Sequence, residues 1–257
     1  MRKALNDLWN VLEDYRQIIS YGYRCDERER YFPEITFAPK TKSDAPEIKS
    51  DASKITSDAS KTISDAPITK NEPDSFEKIN KEVMECRKCR LCQERKNSVP
   101  GTGVLNPLVM VIGEGPGAEE DQQGLPFVGA AGQYLDKWLN AISLDRTTNC
   151  FIGNIVKCRP PGNRDPQPDE IGQCIEYLKR QIALLKPKAI LAVGRISSNI
   201  ISGQENGIGR LRGKIYSYDG IPVVVTYHPS AVLRDRKYRP AVWEDLKILR
   251  KELDEIT

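Results

Sequence analysis

A three-layer α/β/α sandwich, built on a central four-stranded parallel sheet, is predicted for the C-terminal part of this 257-residue chain. Three observations predict it. Four short apolar runs rich in Val and Ile (Leu108 to Ile112, Phe151 to Val156, Ala189 to Val193 and Pro222 to Tyr227) read as strands covered on both faces. Amphipathic stretches lie between or after them, at Ala131 to Ile142, Pro168 to Leu185, Ile196 to Ile201 and Pro240 to Leu253. Strand and helix alternate, and that alternation gives parallel strands joined by crossover helices. Pro168 followed by Asp169 and Glu170 marks a helix start, with proline in the first turn and carboxylates near the positive end of the dipole.

Upstream of this α/β domain, placed at 76–257, the chain changes character. Ser-Asp-Ala recurs at Ser43, Ser50, Ser57 and Ser64, a period of seven. A coiled coil does not follow, because each repeat offers at most one isoleucine and Pro46 and Pro67 interrupt the run. Residues 31–75 are therefore expected to be a disordered linker. In residues 1–30, Leu5, Leu8, Trp9, Leu12, Tyr15 and Ile19 share one helical face. That helix is expected either to bind a protein partner or to pack back on the same molecule.

The chain holds 39 Lys+Arg against 36 Asp+Glu, a net charge of +3. Residues 1–74 carry 12 basic and 14 acidic side chains, which leaves 27 against 22 for the rest. A modest basic excess is compatible with a nucleic-acid partner and does not establish one. No apolar run approaches the ~20 residues of a membrane-spanning helix, and Arg2, Lys3, Asp7, Glu13 and Asp14 break up the start of the chain. Seven cysteines, three of them within Cys86 to Cys92, suit a reducing compartment and metal ligation better than a disulfide framework. A cytoplasmic protein with no membrane association, working as a monomer, is expected.

In an open parallel sheet, ligands bind beyond the carboxyl ends of the strands. There the sequence places Gly113-Glu114-Gly115-Pro116-Gly117, then Asn154, then Gly194, and finally His228-Pro229-Ser230. Glu114, Asn154 and His228 are expected to converge. The glycine-rich turn alone is also compatible with a tight strand-to-helix connection, since it matches neither a P-loop nor the dinucleotide fingerprint. His228 is the only histidine. A histidine alone is often structural, but its place before Pro-Ser at a strand end favours chemistry. Cys86 and Cys89 form a C-x2-C pair, Cys158 follows the second strand and Cys174 lies 16 residues further on. Four thiolates at this spacing hold either zinc or an iron-sulfur cluster. Arg87, Lys88, Arg90, Lys157 and Arg159 flank them and are expected to offset thiolate charge.

Together these motifs (CRKCRLCQER, GEGPGAEEDQQGLPFVGAAG, NIVKCRPPGNRDP with Cys174, and YHPSAVLR) resemble the iron-sulfur, or family 4, uracil-DNA glycosylases over about Phe76 to Leu253. The resemblance implies a uracil-DNA glycosylase-like sandwich acting on uracil-containing DNA. It implies a [4Fe-4S] cluster on Cys86, Cys89, Cys158 and Cys174, with Cys92 a bystander. It further implies that Phe127 stacks on a flipped uracil, that Asn154 reads its amide edge beside Gly115, and that His228 contacts O2 and stabilises the departing base. Glu120 is implied to crowd the 5-methyl of thymine. Family 1 relatives place an aspartate where this chain has Gly115, so Glu114 becomes the candidate for activating water, with stabilisation of the sugar cation as its other role. After His228, the loop with Ser230, Val232, Leu233 and Arg234 is expected to push an apolar wedge, Val232 or Leu233, into the base stack while cations meet phosphates. The alternative is a capped turn leading into a helix with a solvated basic face.

The function expected is hydrolysis of the N-glycosidic bond of uracil, releasing the base and leaving an abasic site. Two alternatives are a uracil-DNA binding or covalent-trapping protein without turnover, and a zinc-bound α/β hydrolase or nucleotide-binding protein.

Overall fold

The computed structural model describes residues 74–256. The helix expected within 1–30 and all of the linker except Asp74 and Ser75 lie outside the described residues, as does Cys25.

The chain enters through helix α1 (Phe76–Glu85), whose N-cap Ser75 accepts a hydrogen bond from the Lys78 N–H at 3.1 Å. A short helix α2 (Leu91–Glu94) follows the C-x2-C pair. Next come the strands β1 (Thr102–Gly103) and β2 (Val109–Gly113) and the helices α3 (Ala118–Gln123) and α4 (Ala130–Ala141). After these lie β3 (Cys150–Asn154), a 3-10 turn at Pro161–Asn163, the long helix α5 (Pro168–Leu185) and β4 (Ala189–Val193). Helices α6 (Arg195–Ser202) and α7 (Ile208–Leu211) precede the hairpin β5 (Ile215–Tyr218) and β6 (Ile221–Thr226). Helix α8 (Pro229–Arg234), a 3-10 turn at Arg236–Tyr238 and helix α9 (Arg239–Ile256) complete the described chain.

The sheet has six strands in the order β1-β3-β2-β4-β6-β5. Its centre is the expected set of four parallel strands, β3, β2, β4 and β6. Two antiparallel edge strands correct the count of four. β1 has only two residues, and β5 alternates exposed and half-buried positions instead of showing a continuous apolar run. The hairpin between β5 and β6 turns on Asp219 and Gly220, both at positive φ, the backbone that an Asp-Gly pair favours in a two-residue loop.

Alternate residues of each central strand feed opposite faces, which makes three layers. On one face Met110, Ile112, Ile190, Ala192, Val223 and Val225 pack with Ile79 and Val83 of α1 and Tyr177, Leu178 and Ile182 of α5. On the other, Val109, Val111, Ile152, Leu191 and Val224 meet Leu135 and Leu139 of α4 and Leu246, Leu249 and Leu253 of α9. Among the described residues no helix is long and apolar enough to cross a membrane. The consequence for function lies in register: Gly113 pairs with Asn154 and Val193 with Thr226, so the four parallel strands end along one rim.

Candidate active site

At that rim, side chains from distant stretches meet. A Cβ placed on Gly113 would stand 2.4 Å from the Asn154 Oδ1 and 2.7 Å from Cζ of Phe127, so only glycine leaves room for both. The Phe127 and His228 rings lie 5.6 Å apart, centroid to centroid, at 33°. Gly194, at φ +97°, brings the end of β4 against His228, where a Cβ would be 3.2 Å from that of the histidine. The lone imidazole therefore shares its rim with the glycine-rich turn.

Asn154 is 1% exposed, and its Oδ1 is buried without a hydrogen-bond partner. Leaving such an acceptor unpaired costs about 1–3 kcal/mol, a cost that a ligand donor would remove.

His228 caps α8: its Nδ1 accepts the Ser230 N–H at 3.2 Å, with the Ser230 Oγ 2.8 Å away. An Nδ1 that accepts leaves the ring proton on Nε2. Burial, together with nearby Arg234, pushes its pKa down to about 4, so the ring is a neutral donor near pH 7.

Phe127 holds a left-handed backbone, φ +52°, which costs an ordinary residue about 1–2 kcal/mol. Its neighbours enforce that turn from both sides. Glu120 Oε1 accepts the N–H groups of Val128 (2.9 Å) and Gly129 (3.0 Å), and its Oε2 accepts Gly117 N–H (3.2 Å). Arg146 donates to the Phe127 carbonyl at 3.0 Å and to Asp136 at 2.6 Å. Gly132 lets α4 begin directly on Phe127, whose carbonyl oxygen would be 1.9 Å from a Cβ there. Over-determined strain of this kind collects at functional sites. The sequence reading missed Arg146 and Asp136, because only a left-handed turn 19 residues upstream gives the arginine its task.

Glu114 follows β2, and burial, reinforced by the charge of Asp165 and opposed by that of Arg195, pushes its carboxyl up to about 7. Asp165 and Arg195 are themselves paired at 2.5 Å. Gly115 packs under Val156, whose Cγ2 would be 2.8 Å from a Cβ. Of the two candidate wedges, Val232 has no exposed surface and lies in the core beside α4, so it cannot enter a base stack. That corrects its assignment; Leu233, 44% exposed, and Arg234, also exposed, face outward from α8.

On the α1 and α5 side of the sheet, Cys86, Cys89, Cys158 and Cys174 line one pocket, and Cys92 lies on the same wall. Burial pushes the thiols of Cys89 and Cys174 up and that of Cys158 to about 11. Donors are already aimed at the sulfur atoms. Arg95 Nη1 donates to Cys158 Sγ at 2.9 Å while its Nη2 donates to the Cys86 carbonyl at 2.9 Å. Lys157 N–H donates to Cys174 Sγ at 3.2 Å. A group that keeps these sulfurs as thiolates would make use of both donors.

Of the basic residues expected to offset thiolate charge, Lys88 and Lys157 line the cysteine pocket, where the charge of Lys157 favours the Cys174 thiolate, while Arg90 and Arg159 are engaged elsewhere. Arg90 pairs with Asp169 and Glu170, Arg159 donates to Asn163, and Lys88 sits 4.5 Å from the centroid of the Tyr177 ring. Lys157 meets cysteine through its backbone, and its ammonium turns inward. The residue that does reach sulfur with its side chain is Arg95, which the sequence reading did not single out. No group of three or more His, Cys, Asp or Glu side chains among the described residues is drawn together tightly enough to hold one metal ion.

Comparison with known proteins adds to this geometry. The Uracil DNA glycosylase superfamily profile matches residues 100–247. The chain is similar to the type-4 uracil-DNA glycosylase of Sulfurisphaera tokodaii, 45% identical over 186 residues, which is 69% of this chain and 84% of the relative. It is 42% identical to that of Saccharolobus solfataricus over 188 residues, 70% of this chain and 87% of the relative. The enzyme of the same name from Archaeoglobus fulgidus is 39% identical over 191 residues, 71% of this chain and 94% of the relative.

Proposed function

The chain belongs to the uracil DNA glycosylase superfamily and, within it, to the type-4 uracil-DNA glycosylases; from that membership we propose a residue-by-residue account of how it excises uracil. The enzyme is a DNA-repair hydrolase acting on N-glycosyl bonds. The observation that carries the account is the buried, unpartnered Asn154 Oδ1 beside Phe127 and His228.

A uracil in a duplex is accessible to hydrolysis only when its nucleotide is turned out of the stack. The everted base would lie on Phe127, with its N3–H donating to Asn154 Oδ1 and its O4 accepting from Asn154 Nδ2. Cytosine offers a bare N3 and an amino group at those positions, which sets acceptor against acceptor and donor against donor. Glu120 has both carboxylate oxygens on backbone amides. Any exclusion of a 5-methyl group is accordingly assigned to the wall that Glu120 braces.

As the glycosidic bond breaks, its electron pair moves into the base and negative charge develops at O2 while positive charge develops on the sugar. A neutral His228 with its proton on Nε2 supplies a donor for O2, which gains strength as that charge grows. Glu114, ionised above about pH 7, is assigned to take a proton from the water that adds to the sugar. Leu233 is assigned as the wedge that fills the gap left by the base, and Ser230 and Arg234 as contacts to the DNA backbone.

The donor set of the cysteine pocket fits a [4Fe-4S] cluster held by Cys86, Cys89, Cys158 and Cys174. Such a group would supply a cross-link between the segment before β1 and the loop after β3. A reducing cell interior suits that thiolate chemistry.

The test is incubation of purified protein with a uracil-containing oligonucleotide, reading free base and alkali-labile abasic sites. Release of uracil by the wild type, with marked slowing in His228→Ala and Asn154→Asp, supports the account. A protein–DNA adduct with no free uracil would favour trapping instead.

A further inference from the structure

Lys157 is 1% exposed, and all of its polar atoms are engaged. Its N–H donates to Cys174 Sγ at 3.2 Å and its carbonyl accepts the Val99 N–H at 2.8 Å. Its ammonium donates to the Asn154 carbonyl at 3.0 Å and to Gln181 Oε1 at 2.7 Å. Gln181 is fully buried and donates in turn to the Pro100 carbonyl at 2.8 Å.

Both hydrogen-bond acceptors of the ammonium are neutral, and the one charge interaction that offsets the cost of its burial comes from the Cys174 sulfur. An apolar side chain of similar length would fill this space without that cost. What the ammonium adds is direction.

The sheet shows where that direction is needed. Asn154 is the last residue of β3; its neighbour on one side is Gly113 of β2. On the other side, β1 pairs only with Phe151 and Ile152 and ends before reaching it. The Asn154 carbonyl on that edge therefore lacks a strand partner, and the Lys157 ammonium takes the partner's place.

We propose that Lys157 is a positioning residue for base recognition: with Gln181 it fixes the Asn154 peptide, so that the asparagine amide faces the base edge, and it ties that strand end to the Cys174 wall. The proposal rests on the reading of Asn154 as the base reader and deepens it. Lys157 touches no reacting atom in this scheme. Its whole effect on excision passes through Asn154.

A double-mutant cycle tests this on the as-purified holoprotein. Single-turnover excision of uracil from a single-stranded oligonucleotide is measured for wild type, Lys157→Met, Asn154→Ala and the double variant, alongside iron content and melting temperature. Lys157→Met is expected to keep its iron, slow excision by about tenfold or more and lower the preference for uracil over cytosine. In the Asn154→Ala background the same change is expected to alter the rate by less than about twofold, because coupled residues do not add.

Equal slowing in both backgrounds, or a wild-type rate in Lys157→Met, would overturn the positioning role and leave the Asn154 reading intact. A wild-type rate in Asn154→Ala would overturn that reading, and this proposal with it. Gln181→Leu repeats the cycle with the ammonium in place, for the case in which Lys157→Met does not fold. A smaller loss that vanishes in the Asn154→Ala background supports the proposal, and an additive or absent loss overturns it.

Discussion

At the carboxyl rim of the sheet, Asn154 keeps a buried amide oxygen with no partner and Phe127 a left-handed backbone, whereas in the cysteine pocket the sulfurs of Cys158 and Cys174 already receive N–H donors. The rim also holds two groups moved far from their ordinary acidity, Glu114 up to about 7 and His228 down to about 4. The rim is thus incomplete in ways that a pyrimidine would complete. The pocket has its donors arranged around sulfur in ways that suit holding two segments of chain together. On the proposed account, the unfinished hydrogen bonding and enforced strain mark where substrate arrives, and the donors already committed serve architecture.

Variants of the two regions should separate along that line. The largest effect is expected from His228→Ala, with a single-turnover loss of about a hundred- to a thousandfold, the usual cost of one donor to a developing anion. Circular dichroism should show the fold retained. Near-normal excision would remove the histidine from the leaving-group role.

Glu114→Gln should come next, at about a hundredfold. The wild-type rate should rise with pH as a single ionisation near 7 while the glutamine variant stays flat, because only the carboxylate form accepts a proton. A similar rise in the variant would place the ionisation elsewhere.

Asn154→Asp should slow uracil excision about ten- to a hundredfold and relax the preference for uracil over cytosine. Competition between the two oligonucleotides reads this directly.

Cys86→Ser combined with Cys158→Ser sharpens the comparison from the other side. Iron should be lost, with melting lowered by about 10 °C, since about 1 kcal/mol corresponds to about 2–4 °C in a domain of this size. Excision by the protein that remains folded should fall less than in the rim variants. A larger fall, without destabilisation, would move the pocket from architecture to chemistry.

The smallest effect concerns stability. The His228 pKa is about 4 in the folded chain against 6.5 for a free imidazole, so the unfolded state binds more protons between those values. The contribution is fully present above about 6.5 and is lost as pH falls towards 4. His228→Gln should unfold with a flatter dependence across that window, and an unchanged slope would show that the ring is not kept neutral.

Much of this architecture was legible in local pattern. The four central strands were placed within two residues at either end, and α5 at both ends, because Pro168 and the acidic first turn mark its start in sequence. The edge strands were not. A two-residue β1 has no period to read, and β5 was overlooked although Asp219-Gly220 carried the hairpin signal.

At the site, Glu114, Asn154 and His228 could be singled out because they stand at or just beyond strand ends, and the structure brings Asn154 and His228 beside Phe127. The clamp of Arg146 on Phe127 and the reach of Arg95 to Cys158 were not, because an arginine shows its acceptor only once the chain is folded. Lys157 was expected to offset thiolate charge, and its ammonium also donates to the Asn154 carbonyl from the interior. Its position next to Cys158 says nothing about where its ammonium points. Val232 and Leu233 are adjacent, and only burial separates the core residue from the exposed one.

One measurement bears most directly on the convergence of Asn154, Phe127 and His228 around an everted base: the structure of the protein bound to DNA carrying a non-hydrolysable uracil nucleotide. The account predicts the uracil ring on Phe127, with Asn154 Oδ1 and His228 Nε2 each within about 3 Å of N3 and O2 respectively. A uracil held elsewhere, with the Asn154 amide oxygen still unpartnered, would contradict it.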